Sequence, residues 1–280
     1  MPSRRKFLQS SVLALTAPVA ISFPVKLARP LAGKDPDSDR LTVGIAGYTF
    51  KNFNIDQSIA IMQRIGVSEL SIKDFHLPLD STPEKIEEVK AKFKTAGIHL
   101  YAAGVIYMTT QAEVDRAFDY TAKVGVDLLV GVPAYDLLTY TEQKVRSTGI
   151  KIAIHNHGPE DKRYPGPKDV YDRIKNMDPK MGLCLDIGHA ERAGAIPAQA
   201  VKDYALRIFD LHIKDVTAAQ ADGKAIEVGR GVIDFPALVK ALRHIGYKGR
   251  CSIEFEKDMQ DPLPGIAESI GFFRGVDRAC

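Results

Sequence analysis

Cysteine is scarce in this 280-residue chain: three residues, an odd and widely spaced set at Cys184, Cys251 and Cys280. That spacing excludes a disulfide framework and a C-x-x-C metal site. Cys184 and Cys251 fall inside strand-like runs and read as buried thiols. Neither sign of charge is in excess, since 38 Lys and Arg against 35 Asp and Glu leave a net charge of +3. Part of that surplus sits in the basic N-terminus, so the body is near neutral and offers no electrostatic case for nucleic acid or acidic surfaces. Past the N-terminus no apolar run approaches the roughly 18 residues that cross a bilayer, so no stable membrane span is expected. The first loop, GIAGYTFKNF, has no G-x-G-x-x-G, which argues against a nucleotide-binding doubly wound sheet. What remains is 45% hydrophobic and 26% charged, ordinary for one large globular domain with a sizeable core.

The first residues carry a separate message. Ser3-Arg4-Arg5-Lys6-Phe7-Leu8 precedes a modest apolar run from Val12 to Phe23 and a linker-like KLARPLAGKDPDSDR. An arginine pair ahead of Phe-Leu and a weakly hydrophobic core resembles a twin-arginine export signal, so residues 1–35 are set apart from the fold. The expected location is periplasmic or secreted. Export in the folded state suits an enzyme that takes its metal in the cytoplasm.

From Leu41 onward, strand-like and helix-like segments alternate. Strands are expected at 41–48, 67–73, 98–105, 127–132, 150–156, 181–186, 208–214 and 250–255. Amphipathic helices are expected at 57–65, 82–96, 111–124, 139–147, 168–176, 198–206, 235–245 and 263–274. RIGVSEL, KTAGIHL, KVGVDLL, RSTGIKI and HIGYKGR each end a helix with a glycine near basic residues and then resume as strand. Glycine accepts the left-handed conformation that stops a helix, and positive charge suits its C-terminus. Eight βα units in about 240 residues fit an α/β single domain, a (β/α)₈ TIM barrel spanning 41–276.

Four late strands alternate apolar and ionisable residues. In FDLHIKD, Phe209, Leu211 and Ile213 share one face, and Asp210, His212 and Lys214 the other. Ile152 and Ile154 oppose His155 and His157; Leu183 and Leu185 oppose Asp186; Ile253 and Phe255 oppose Glu254 and Glu256. In a closed parallel barrel His155, Asp186, His212 and Glu254 meet at the C-terminal mouth, where such barrels place their chemistry. Two imidazoles and two carboxylates are an N/O set for a divalent ion, Mn²⁺, Co²⁺ or Zn²⁺ ahead of Mg²⁺. Buried charge without an ion or partner is costly, which favours the metal reading for the set as a whole. His157 and His189 lie just past their strands and are expected to touch substrate. Lys214 is expected to hold a sugar oxygen or to pair with Asp210 or Glu254. Arg230, in the VGRGVIDF loop, is a candidate for closing over the substrate. Glu69 and Lys73 share a strand face and are expected to pair. Tyr48, Phe50, Phe75 and Tyr107 offer an apolar wall for a sugar ring.

AIHNHG, LDIGHA, LHIKD and SIEFE, with VGRGVIDFPALVKALRHIGYKG before the last of them, resemble the xylose isomerase-like TIM-barrel superfamily of sugar isomerases and epimerases. In that family a Glu, an Asp, a His and a Glu on strands five to eight hold the ion. The resemblance implies that role for Asp186, His212 and Glu254, with His189 touching substrate. At the fifth strand this chain departs, with His155 where epimerases carry Glu. His155 can still ligate metal, but epimerisation by two carboxylates loses one of them.

The expected activity is a metal-dependent isomerase or epimerase acting on an unphosphorylated sugar or keto-sugar. Proton abstraction beside a carbonyl would proceed through a metal-stabilised enediolate. Glu254 is the base, and His189, Lys214 and His157 position or protonate oxygens. Two alternatives stand beside it: a lyase or hydratase acting on a 3-keto-glycoside or inositol-like ketone, and a non-catalytic exported sugar-binding barrel. The partner expected is a small carbohydrate, with an oligomer possible. Endonuclease IV-like repair shares the fold but needs three zinc ions and a basic groove, neither of which is visible.

Overall fold

The computed structural model describes residues 40–280. The expected export signal lies outside the described residues. Eight parallel strands close into a barrel: β1 (Thr42–Ala46), β2 (Glu69–Ile72), β3 (His99–Met108), β4 (Leu128–Pro133), β5 (Lys151–His155), β6 (Met181–Asp186), β7 (Ile208–Ile213) and β8 (Arg250–Ile253). Each pairs with its neighbours in sequence, and β1 closes the ring on β8 through Thr42 to Ile45. The α/β barrel expected from the alternation is the architecture found. A two-stranded antiparallel ribbon, Asp215–Val216 with Ala225–Ile226, is added after β7.

Nine helices occur among the described residues: α1 (Ile55–Ile65), α2 (Pro83–Thr95), α3 (Gln111–Val124), α4 (Leu138–Thr148), α5 (Pro167–Ile174), α6 (Ile187–Arg192), α7 (Pro197–Asp203), α8 (Phe235–His244) and α9 (Leu263–Ala279). Local chemistry sets their ends. Asn54 and Thr110 close capping boxes with Gln57 and Glu113, satisfying backbone donors that a helix start leaves free. All five glycines named as stops, Gly66, Gly97, Gly125, Gly149 and Gly246, adopt positive φ between 61° and 83°. In α3 the buried set Val114, Ala117, Phe118, Tyr120, Thr121 and Val124 follows the helical period and packs one stripe on the barrel. Phe118 is fully buried, and truncating such a side chain costs about 3–5 kcal/mol.

Two local features escape the alternation. The expected helix 198–206 divides into α7 and a 3₁₀ turn at Ala205–Arg207. A further helix, α6, starts directly at the end of β6, with the Asp186 side chain accepting the His189 backbone N–H at 2.7 Å. A carboxylate expected only as a metal ligand is therefore also the helix cap.

Candidate metal centre and active site

Strand ends bring the site together. His155 is the last residue of β5, Asp186 the last of β6, His212 the fifth residue of β7, and Glu254 follows the last residue of β8. Register places Asp186 opposite His212 and aligns Ser252 with His212, so period-two alternation turns all four side chains inward. One donor atom from each of His155, Asp186, His212 and Glu254 lies within 4.8 Å of the others. The four residues are between 0% and 5% exposed, a degree of burial at which ionisable groups need compensation.

The spacing inside the cluster is short. His155 Nε2 lies 2.9 Å from His212 Nδ1 and 3.5 Å from Asp186 Oδ2, and His212 Nδ1 lies 3.2 Å from Glu254 Oε2. Lys214 Nζ sits 3.0 Å from Asp186 Oδ2, 2.9 Å from Glu254 Oε2 and 3.1 Å from Glu256 Oε1. The alternation left Asp210 or Glu254 open as its partner; Asp210 is not among those found. Gly188 makes room for the lysine stem, since a Cβ there would stand 2.4 Å from Lys214 Cγ.

Burial works against the charge on every carboxylate here, and the cations decide. Asp186 is held below the usual carboxylate range because His189, Lys214 and His155 outweigh its desolvation. Glu254 is held well below it by Lys214 and His212, again against burial. Glu256 goes the other way, since burial raises it and Lys214 only partly compensates. Burial pushes His157 down to about 2 and His189 down to about 3, so both imidazoles are neutral near pH 7. For His212, burial is outweighed by the Cys184 sulfur and Glu254, which hold it well above the usual histidine value.

The residues fit a divalent ion. Asp186 Oδ2 is buried and lies 3.0 Å from Lys214 Nζ, yet completes no hydrogen bond among the described residues. Buried polar atoms left in this state call for a ligand or another explanation. The donor set, two nitrogens and two carboxylate oxygens, suits Zn²⁺, Mn²⁺ or Co²⁺.

Above the cluster opens a cavity of about 360 Å³ lined by Tyr48, Lys73, Val105, Tyr107, His155, His157, His189, Glu254 and Glu256, within the size range of small-molecule sites. Its walls differ. Carboxylates come from the β8 side, Glu254 and Glu256, while imidazoles come from β5 and α6, His155, His157 and His189. His157 Nε2 is hydrogen-bonded to the Tyr107 hydroxyl at 2.7 Å, and its Nδ1 faces Asp161 at 3.7 Å. A second cavity of about 420 Å³ opens at the opposite end of the barrel, lined by residues such as His99, Tyr101, Lys151 and Arg250; none of the four clustered donors reaches it.

Of the sequence-predicted residues, His157 and His189 line the cavity and Lys214 lies beneath it. Arg230 is elsewhere: its guanidinium grips Glu268 at 2.5 and 2.7 Å, with Glu227 at 3.8 Å, because the loop is wrapped around a different anchor. Asp215 accepts backbone N–H groups from Val216, Gly229, Gly231 and Ile233, so the glycines serve close approach to that carboxylate. The expected Glu69–Lys73 pair does not form. Glu69 meets Arg250 at 2.8 Å and His99 at 3.1 Å, and Lys73 turns to the Val105 carbonyl at 2.6 Å and Asp74 at 2.9 Å. Among the four aromatics, Tyr48 and Tyr107 line the cavity, Phe50 is fully buried, and Phe75 is exposed outside it. Lys73 and Glu256 join the wall without having been singled out for it. The two-residue period that turned Glu254 inward carries Glu256 with it, which was the available signal.

Comparison with known proteins places this geometry. The sequence model of the xylose isomerase-like TIM barrel matches residues 64–276. An inosose dehydratase from Lacticaseibacillus casei is 30% identical over 132 residues, covering 41% of this chain and 43% of that protein; the chain spans less than half the length of such curated relatives. Among solved structures, the Escherichia coli 3-keto-D-glucoside 4-epimerase YcjR superposes with a TM-score of 0.69 at 20% identity, over 84% of this chain and all of that one. The IOLI protein, solved with a bound zinc atom, gives 0.71 at 19%, over 85% and 99%. At those identities the structural likeness speaks for the fold alone. With its closed eight-stranded barrel and a family match across most of its length, the chain belongs to the xylose isomerase-like TIM barrel family.

Proposed function

We propose that this protein is a metal-dependent carbon–oxygen lyase that removes water or an alcohol from a keto-sugar or related cyclic ketone by β-elimination. The observation that carries the reading is the asymmetry of the cavity, with carboxylates on the β8 wall only and neutral imidazoles facing them. Stereoinversion by two carboxylates needs one on each face of the substrate, and His155 removes the second. Elimination needs a base on one side and a proton donor for the departing oxygen on the other. The inosose dehydratases among its relatives support the same class of reaction.

His155, Asp186, His212 and Glu254 would hold a divalent ion, which supplies a Lewis acid for the carbonyl and an adjacent oxygen. Glu254 takes the proton from the carbon beside the ketone. The electron pair of that C–H bond becomes the new C=C bond as the neighbouring C–O bond breaks. The leaving oxygen receives a proton from the Tyr107 hydroxyl, which the neutral His157 orients through their 2.7 Å hydrogen bond and which solvent reprotonates at its exposed edge. Lys214, beside Glu254, stabilises negative charge on the substrate oxygen, and His189 positions a hydroxyl.

Incubating metal-loaded protein with cyclic keto-sugars and 3-keto-glycosides in D₂O tests the reading. Loss of water or aglycone, with the hydrogen of the carbon beside the ketone released to solvent and deuterium appearing at the carbon that lost its oxygen where the enol ketonises, is the expected result. Exchange with stereoinversion and no loss would replace it with the epimerase reading. Absence of both the loss of water or aglycone and the exchange of the hydrogen beside the ketone would overturn both readings and leave a binding barrel. We further propose action outside the cytoplasm, on the strength of Arg4-Arg5; fractionation of the wild-type chain and an Arg4→Lys/Arg5→Lys variant tests it, and an unchanged distribution would reject it.

A further inference from the structure

We propose that His155 and His212 serve a second, softer ligand set with Cys184, so that a thiophilic ion such as Cd²⁺ or Cu⁺ binds through two nitrogens and one sulfur.

Strand register is the first support. His155 of β5 stands directly opposite Cys184 of β6, and neighbouring strands are only about 4.8 Å apart, so the imidazole and the thiol enter the barrel interior at one level. Cys184 lies two residues before Asp186, on the same face of β6 and one step further from the mouth. Donor atoms of His155, Cys184 and His212 all fall within 4.8 Å of one another, and all three residues are buried. The second support is independent. His212 Nε2 is buried without a hydrogen-bond partner among the described residues, while its other nitrogen, Nδ1, faces His155 and Glu254. The ring therefore has one nitrogen for each of two ligand sets.

Position 155 makes this set. With a carboxylate there the inner group would be one oxygen, one nitrogen and one sulfur; with His155 it is two nitrogens and a sulfur, a composition that selects soft and borderline cations. Because both sets draw on His155, the inner and outer positions exclude one another. Hard ions such as Mg²⁺ and Mn²⁺ use Asp186 and Glu254, and thiophilic ions are drawn down toward the sulfur. On loading, the Cys184 S–H bond gives its proton to the buffer and the sulfur electron pair to the ion; no oxidant or reductant is involved.

The inference shares residues with the proposed reaction centre but does not depend on that reaction, and turnover is not its readout. The full-length protein carrying Cys280→Ser, which removes the exposed thiol, is stripped with chelator and titrated separately with Co²⁺, Cd²⁺ and Mg²⁺. A sulfur-to-cobalt charge-transfer band, a ¹¹³Cd resonance in the sulfur-coordinated range and a 1:1 stoichiometry are expected. Adding Cys184→Ser or Cys184→Ala should abolish the band and leave Mg²⁺ affinity unchanged. Cd²⁺ affinity should fall by more than the roughly 10–100-fold that losing an outer partner costs. The ¹¹³Cd shift needs no substitution at Cys184, so it decides the matter even where those variants fail to fold. A cobalt spectrum without sulfur character, or a cadmium shift typical of nitrogen and oxygen ligands only, would overturn the proposal.

Discussion

Asp186 and Asp210 are the same residue type, both fully buried and both turned into the barrel interior on adjacent strands, yet the fold treats them in opposite ways. Asp186, at the mouth, lies 3.0 Å from Lys214 and 3.5 Å from His155, and its carboxyl is held below the ordinary range. Asp210, deeper in, accepts a hydrogen bond from the Tyr101 hydroxyl at 2.9 Å, and that hydroxyl lies 2.5 Å from Ser252. Burial there outweighs His212 and Tyr101 and pushes Asp210 up to about 7. One carboxylate is compensated by cations and the other largely by its own proton. A buried acid compensated by cations remains an anion that a metal can claim; one compensated by a proton is a strut.

The strongest way to break the comparison is at the mouth. Replacing Glu254 with Gln removes the proposed base and one proposed ligand together, and turnover is expected to fall by at least about 10²–10³, the loss typical of a preorganised electrostatic group. Calorimetry on the same variant should show weakened divalent-ion binding. Turnover surviving in Glu254→Gln would move the base elsewhere, with Glu256 the next carboxylate on that wall.

Deeper in, the expected effect is on stability. Below the ordinary aspartate value both folded and unfolded states hold the Asp210 proton, so the group contributes no pH dependence. Between about 4 and 7 the folded protein keeps a proton that the unfolded chain has lost, so stability falls as pH rises; above about 7 the penalty is constant. Raising the carboxyl from its ordinary value to about 7 corresponds to about 4 kcal/mol. Asp210→Asn keeps the shape and a carbonyl acceptor for Tyr101, so it should remove that slope and raise the denaturation midpoint at pH 8 more than at pH 4. A variant with the wild-type slope would show that Asp210 ionises freely inside the barrel.

Tyr107→Phe tests the wall opposite the carboxylates. The phenol is expected to lower kcat by about 10², at the lower end for a general acid, with KM and metal affinity little changed. A rise in KM alone would make Tyr107 a binding group and leave the leaving oxygen's proton to another donor.

How much of this was legible in the sequence follows from period and distance. Five glycines after amphipathic runs were enough for the repeated unit, because helix termination is local chemistry. The four donors were legible because alternation in a strand fixes which side chains face inward. The compensation of each charge was not, since Asp210-x-His212-x-Lys214 lists three inward groups without saying which will meet. Lys214 reaches across to β6 and β8 rather than back along its own strand, and Tyr101, from β3, claims Asp210 instead. Glu69 likewise meets Arg250, 181 positions away. Such pairings depend on the closed barrel, and no local pattern in the chain encodes them.

Arg230 shows the same limit at the surface and carries the smallest expected effect. Two glycines around a basic residue look like a loop that closes on a ligand, and glycine-rich turns do recur at binding sites. Here the backbone of that loop is drawn onto the buried Asp215 carboxylate, and the close approach demands the glycines: a Cβ at Gly231 would stand 2.3 Å from Asp215 Oδ1. With the backbone pinned inward, Arg230 points outward to Glu268, in a pair that is about half exposed and screened by solvent. Arg230→Ala should therefore leave KM, kcat and the pH profile unchanged within error. A selective rise in KM would mean that the loop turns over when substrate arrives and that the Glu268 pair is its resting latch.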